Sequence, residues 1–120
     1  MNKLTLIGRL TKDAALRYTS TGESVADISL AVDDGYGDKK STIWFKCSLW
    51  GNRAVSLEQY LTKGTQLYVE GRLNHEDGNP RVWGEGKASF EMTVQDIKLL
   101  GGGRGKDNAA DVDAEDVSFL

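Results

Sequence analysis

Between Thr42 and Trp50 the chain reads Thr-Ile-Trp-Phe-Lys-Cys-Ser-Leu-Trp, an unbroken alternation of period two. Consecutive side chains of a β-strand point to opposite faces. One face therefore carries Ile43, Phe45, Cys47 and Leu49, an apolar set that belongs in a core. The other carries Thr42, Trp44, Lys46, Ser48 and Trp50. A merely solvated face has no use for two tryptophans with a lysine between them. The combination suits a ligand that offers both negative charge and flat rings, and unstacked nucleic-acid bases on a phosphate backbone are such a ligand. It also suits a subunit interface, or an indole that covers the end of the core. From this strand alone both readings stay open.

The flanking sequence places that strand in a small barrel. Asn2–Leu10 alternates as a first strand, with Leu4, Leu6, Gly8 and Leu10 on one side; Gly8 marks a bulge or sharp bend. Leu16–Tyr18 prolongs it after a break, and Thr19–Glu23 is a turn. Val25–Val32 is a second strand, with Ala26, Ile28, Leu30 and Val32 inward. The loop Asp33–Lys40 is polar and glycine-bearing, with Tyr36 at its centre, read either as a ring folded back on the rim or as a stacking residue. After the third strand comes the one helical pattern, Asn52 or Arg53 to Thr62. Asn52 is its expected N-cap, Ala54, Leu57 and Leu61 its apolar face, and Gly64 its C′ residue. Thr65–Asn74 is a fourth strand, and His75–Pro80 a hairpin turn with Asp-Gly at its tip. Arg81–Gly86, carrying Trp83, reads as short strand or loop; Ser89–Leu99 is a fifth strand with a bulge expected near Gln95–Asp96. Three strands, one helix and two strands is the order of the OB-fold, an all-β five-stranded barrel with a helix between strands three and four. Such barrels bind oligonucleotides across strands two and three and the adjoining loops, which is where the Trp-Lys-Ser-Trp face falls.

Composition decides between partners only after it is divided along the chain. The net charge of −3 argues against nucleic acid. Of the 18 acids and 15 bases, however, five acids and two bases lie beyond Leu100, which leaves 13 of each in residues 1–100. A neutral domain binds phosphate if its cations share a face. The division gives residues 1–100 as the binding domain and 101–120 as a tail: a Gly101–Gly105 linker, then an acidic, aperiodic and so disordered segment. No apolar run is long enough to span a membrane, and no signal-peptide layout opens the chain. The single cysteine, Cys47, forms no internal disulfide and suits a reducing cytoplasm.

The residues Asn2-Lys3, Leu6–Thr11, Asp13, Arg17-Tyr18, Gly22, Val25-Ala26, Leu30-Ala31, Trp44, Trp50-Gly51, Tyr60–Gly64 and Leu67–Leu73 resemble the bacterial single-stranded DNA-binding protein family, in order and spacing, over about residues 2–100. The resemblance implies that Trp44 and Trp50 stack on DNA bases, with Tyr36 as the aromatic of the loop between strands two and three. The family's aromatic in the long hairpin before strand five has no match here, because that hairpin is shortened. Trp83 on its far arm is the candidate, against the reading of a ring packed on the hairpin. Lys46 and Lys63 fall on basic family positions, while Arg9, Arg53, Arg72 and Lys3 are candidates to line the groove or plain surface charges. The family implies a homotetramer that first pairs through its N-terminal strand, with a dimer as the alternative; Phe45 departs from a histidine common near a subunit contact. It further implies a nucleoid-associated protein whose tail, here Asp113, Glu115, Asp116, Phe119 and Leu120, recruits replication, recombination and repair proteins. Ser118 stands where proline is usual, and Leu120 is extra.

Other classes are weaker. An RNA chaperone on the same barrel, or an interaction protein that buries its tryptophans, is the alternative. For an enzyme the sequence offers His75 in a turn and an inward Cys47. A metal site would have to use the loop acids Asp33, Asp34 and Asp38, which lack calcium-loop spacing, and there is no P-loop. No catalytic residue, metal or cofactor is expected.

Overall fold

The period-two runs of the sequence are strands. The computed structural model describes residues 1–84 and 89–102. The expected acidic tail, with Asp113, Glu115, Asp116, Phe119 and Leu120, lies outside the described residues. The strands are β1 (Leu4–Leu10), β2 (Ala15–Tyr18), β3 (Ser24–Asp34), β4 (Ser41–Trp50), β5 (Thr65–Leu73), β6 (His75–Glu76), β7 (Asn79–Pro80), β8 (Val82–Trp83) and β9 (Ser89–Gly102), with helix α1 (Asn52–Leu57) after β4. The sheet runs β1-β5-β9-β4-β3-β2 and closes through a β1–β3 pairing at Arg9–Ala31 and Leu10–Leu30. All pairings but β4–β9 are antiparallel. The five long strands β1, β3, β4, β5 and β9 form a closed barrel, with β2 continuing the first strand along β3: the OB-fold.

The barrel interior takes one side of every long strand. Leu10, Ile28, Leu30, Cys47, Leu49, Leu67, Val69, Met92 and Ile97 are all buried there, each large aliphatic contributing about 1.5–3 kcal/mol of burial. Phe45 is also core, 7% exposed, with its ring centroid 6.1 Å from that of Phe90. The expected bulge in the last strand is present. Glu70 pairs with Asp96 but Gly71 pairs with Val94, so Gln95 is the extra residue and Val94 and Ile97 both turn inward. Gly71 is required at this step: a Cβ there would collide with the Thr93 carbonyl oxygen. Gly8, expected as a bulge, keeps the β1–β5 register opposite Leu67. Its reason is close approach, since a Cβ would lie 2.5 Å from the Ala31 carbonyl oxygen where β1 passes from β5 to β3.

The helix is shorter than its sequence pattern. It ends at Leu57 and tightens into a 3-10 turn over Glu58–Tyr60. Its N-cap is Gly51, at φ 86°, and not Asn52, which is already helical. The chain leaves β4 through that left-handed turn, a conformation glycine takes without strain. Ala54 and Leu61 are fully buried against the barrel; the Ala14 N–H donates to the Leu61 carbonyl (2.9 Å). Gly64 lies beyond the 3-10 turn and serves as a junction, its N–H donating to the Leu10 carbonyl (2.9 Å). At the other end of the described chain, Gly101 and Gly102, expected in the linker, are the last residues of β9 and pair with Gln66 and Thr65. Among the described residues no helix is long and apolar enough to cross a membrane.

Candidate nucleic-acid interface

Strand register assembles the outward side chains of β1, β2, β3, β4, β9, β8 and β5 into rows. One row runs Arg9, Ala31, Trp44, Ser89, Trp83. Beside it Ser29 lies opposite Lys46, and Lys46 opposite Glu91. Next come Asp27, Ser48, Thr93 and Arg72, and then Arg17, Val25 and Trp50. Neighbouring strands are about 4.8 Å apart, so the backbones that carry Trp44 and Trp83 are about 10 Å apart. Ala31 and Val25 are fully buried although they point outward. Each is a small side chain in a row between an arginine and a tryptophan.

The register thus brings Trp44, Lys46, Trp50, Trp83, Arg9 and Arg72 onto one face. Trp44 is half-buried, while Trp50 and Trp83 are 40% and 44% exposed. Lys46 sets its ammonium over the Trp83 ring, 3.9 Å from the centroid, a cation–π contact. The Trp83 indole N–H donates to Glu91 Oε2 at 2.9 Å. Trp83 therefore packs on β4 and β9, on the same face as Trp44 and Trp50. Because β4 and β9 run parallel, the β3–β4 loop and the β5–β9 connection leave the barrel at the same end. Tyr36 stands on the first of these, 88% exposed, not folded back on the rim.

Three further groove candidates, Arg53, Lys63 and Lys3, lie off the strand rows. Arg53 donates through Nη2 to the carbonyl of the bulged Gln95 (2.5 Å), so it pins the helix to β9. Lys63 lies in the turn before β5, where its backbone N–H donates to Asp13 Oδ1 (2.8 Å), outside the rows. Lys3 pairs with Glu70 (3.5 Å) at the β1–β5 edge.

Several cations of the face are already neutralised. Arg17 donates to both oxygens of Asp27 (2.7 and 3.4 Å), which raises its pKa further. Asp33 takes Arg9 (3.2 Å), Lys40 (3.5 Å) and the Thr42 hydroxyl (3.2 Å). Desolvation works upward on the Asp33 carboxyl, but Lys40, Thr42 and Arg9 together hold it below the usual range. Among the described residues neither Lys46 nor Arg72 has an ion-pair partner. Glu91, which sequence reading passed over, accepts two side-chain donors and pairs with Arg81; its only signal was a charge between the apolar Phe90 and Met92.

The groups considered for catalysis have structural duties. His75 Nδ1 accepts the Gly78 N–H (3.0 Å) in the β6–β7 hairpin, whose Asp77 and Gly78 both have positive φ. Burial pushes the Cys47 thiol up to about 12. Among the described residues no three His, Cys, Asp or Glu side chains are grouped to hold a metal.

The Single-stranded DNA-binding protein 1 of Chlorobaculum tepidum is 36% identical over 106 residues, covering 84% of this chain and 65% of that protein. The single-stranded DNA-binding protein of Borreliella burgdorferi is 32% identical over 126 residues, covering 100% of this chain and 81% of its own. In the crystal structure of a deletion mutant of the single-stranded DNA binding protein from Thermus aquaticus, the similarity is a TM-score of 0.65 at 30% identity, over 88% of this chain and 53% of that one. Residues 1–100 match the Single-strand binding protein family; the chain belongs to that family.

Proposed function

We propose that this chain binds single-stranded DNA without regard to sequence, by stacking bases on Trp44, Trp50 and Trp83 and by drawing phosphates to Lys46 and Arg72, with Arg9 held by Asp33. The observation that carries the reading is the set of rows: three tryptophans with a lysine among them that has no ion-pair partner among the described residues, on one outward face of a closed barrel. Stacking is worth about 1–3 kcal/mol per base whatever the base, and phosphate contacts add a salt-dependent part. Tyr36 extends the surface from the loop at the same end. A duplex binds poorly because its bases are already stacked. No contact on this face distinguishes ribose from deoxyribose; the DNA preference rests on the family and the names of the relatives.

The same reading includes assembly and recruitment. The β1 edge pairs with β5 from Leu4 to Arg9 but with β3 only at Arg9 and Leu10. The free edge supports side-by-side pairing of two copies, on the way to a tetramer; light scattering that returns the mass of one chain would refute it. The acidic tail ending Phe119-Leu120 recruits replication, recombination and repair proteins, and its removal should abolish their capture while leaving DNA affinity intact. The test of the central claim is titration with oligo-dT at low and high salt, read by tryptophan fluorescence, with RNA as competitor. Strong quenching that persists in salt is expected. No quenching would return the indoles to an interface.

A further inference from the structure

We propose that Glu91 is a positioning residue of the nucleic-acid face, whose carboxylate fixes Trp83 and so makes that indole a stacking surface beside Trp44. The inference deepens the reading above and rests on it.

Glu91 points outward from β9, directly opposite Lys46 of β4. A carboxylate at that place repels phosphate, so charge alone argues against having one there. Its charge is spent locally. The side chain is only 14% exposed. One oxygen accepts the Trp83 indole N–H (2.9 Å). The other accepts the Asn74 side-chain N–H (3.1 Å) and forms an ion pair with Arg81 (3.1 Å). The backbone adds the Glu91 N–H to the Arg81 carbonyl (2.9 Å) and the Asn74 N–H to the Glu91 carbonyl (2.8 Å). Asn74 is itself held by the Thr93 hydroxyl (2.9 Å).

Among the described residues Trp83 has little else to order it. Strand β8 is two residues long, and nearly half the side chain is exposed. The indole is held at its N–H edge by Glu91 and on one ring face by the Lys46 ammonium; a rotation of the side chain breaks both contacts. A ring already fixed loses less freedom when a base stacks on it, and that saving appears as affinity. Lys46 covers one face of the ring, and 44% of the residue is exposed. Trp83 also lines an open cleft of about 460 Å³ beside the β6–β7 hairpin, with Glu76, Asp77, Arg81 and Val82.

Binding of oligo-dT by Glu91→Ala, Glu91→Gln, Trp83→Phe and the double variant Glu91→Ala/Trp83→Phe tests the assignment by sign. If Glu91 is only a charge near phosphates, both Glu91 variants bind more tightly, and the proposal is overturned. If it positions Trp83, Glu91→Ala weakens binding about fivefold to tenfold, part of what one stacked base is worth. Glu91→Gln, which keeps one acceptor oxygen, falls between it and the parent. Trp83→Phe keeps a ring but has no N–H, so it weakens binding alone and adds nothing in the Glu91→Ala background; additive losses overturn the proposal. Should Glu91→Ala fail to fold, Trp83→Phe, which leaves the Asn74 and Arg81 contacts in place, carries the test, and unchanged affinity overturns it. An unaltered protein that binds and is quenched, with variants that behave like it, refutes this assignment alone; an unaltered protein that does not bind refutes both.

Discussion

Replacing Asp33 by asparagine should make the protein bind single-stranded DNA more tightly and more salt-sensitively. Asp33 holds Arg9 at 3.2 Å and Lys40 at 3.5 Å, and accepts the Thr42 hydroxyl at 3.2 Å. Asparagine keeps an acceptor for Thr42 but drops the charge that occupies the two cations. Arg9 belongs to the row of Trp44 and Trp83, and Lys40 precedes β4 at the same end of the barrel. For a single strand the salt slope grows by about 0.7 per phosphate contact, so freeing both cations steepens it by about 1.4. A fourfold rise in salt then costs the variant about sevenfold more affinity than the parent. The assay is the oligo-dT titration repeated across a salt series. A parallel slope, or weaker binding at every salt, would show that the carboxylate orders the two cations for phosphate and does not mask them. The pH dependence carries the same sign. The folded-state pKa of Asp33 is depressed, so its contacts contribute stability above the ordinary carboxylate pKa and lose it as pH falls through the folded value. Only in that acidic window should the parent approach the affinity of Asp33→Asn.

Three further outcomes follow from the same geometry. Gly71→Ala places a methyl against the Thr93 carbonyl and should cost about 2–3 kcal/mol in denaturant unfolding, with no change in m-value. Arg53→Met should lose about 1 kcal/mol of stability through its bond to Gln95 and leave oligo-dT affinity unchanged; a tenfold loss of affinity would return Arg53 to the DNA path. The Cys47 thiol, buried and pushed up to about 12, should resist thiol reagents in the native protein at neutral pH and react only in concentrated guanidinium.

The tryptophans and lysine of β4 were legible because a strand's two faces follow from local alternation, and Trp44, Lys46 and Trp50 needed no other strand to define them. Trp83 was not, because its place is set by pairing with β9 and by a bond to Glu91, both non-local. The helix was overread for a related reason. Ala54, Leu57 and Leu61 have helical spacing, but Leu61 reaches the core through a 3-10 turn and not on a helix face. Asn52 has the chemistry of an N-cap, yet the positive φ at Gly51 sets the helix start one residue earlier. The bulge at Gln95 could be read because Ile97 and Leu99 fall out of phase with Phe90 and Met92. The pairing of charges on the face could not, since Arg17 with Asp27 and Arg9 with Asp33 depend on register between strands.

Strand β9 has a consequence for how the molecule is made. Among the described residues it is the last strand, and the one that bridges β4 and β5 while also holding β8. On a ribosome, everything up to Trp83 emerges with β4 and β5 each lacking a neighbour. Those two exposed edges invite pairing with other nascent chains until residues 89–102 have cleared the exit tunnel. The parallel β4–β9 closure joins segments far apart in sequence, which places this barrel among slow folders. Closure of the barrel and completion of the Trp44–Trp83 row are therefore one event, and a chain that has not finished folding has no face on which to hold a strand.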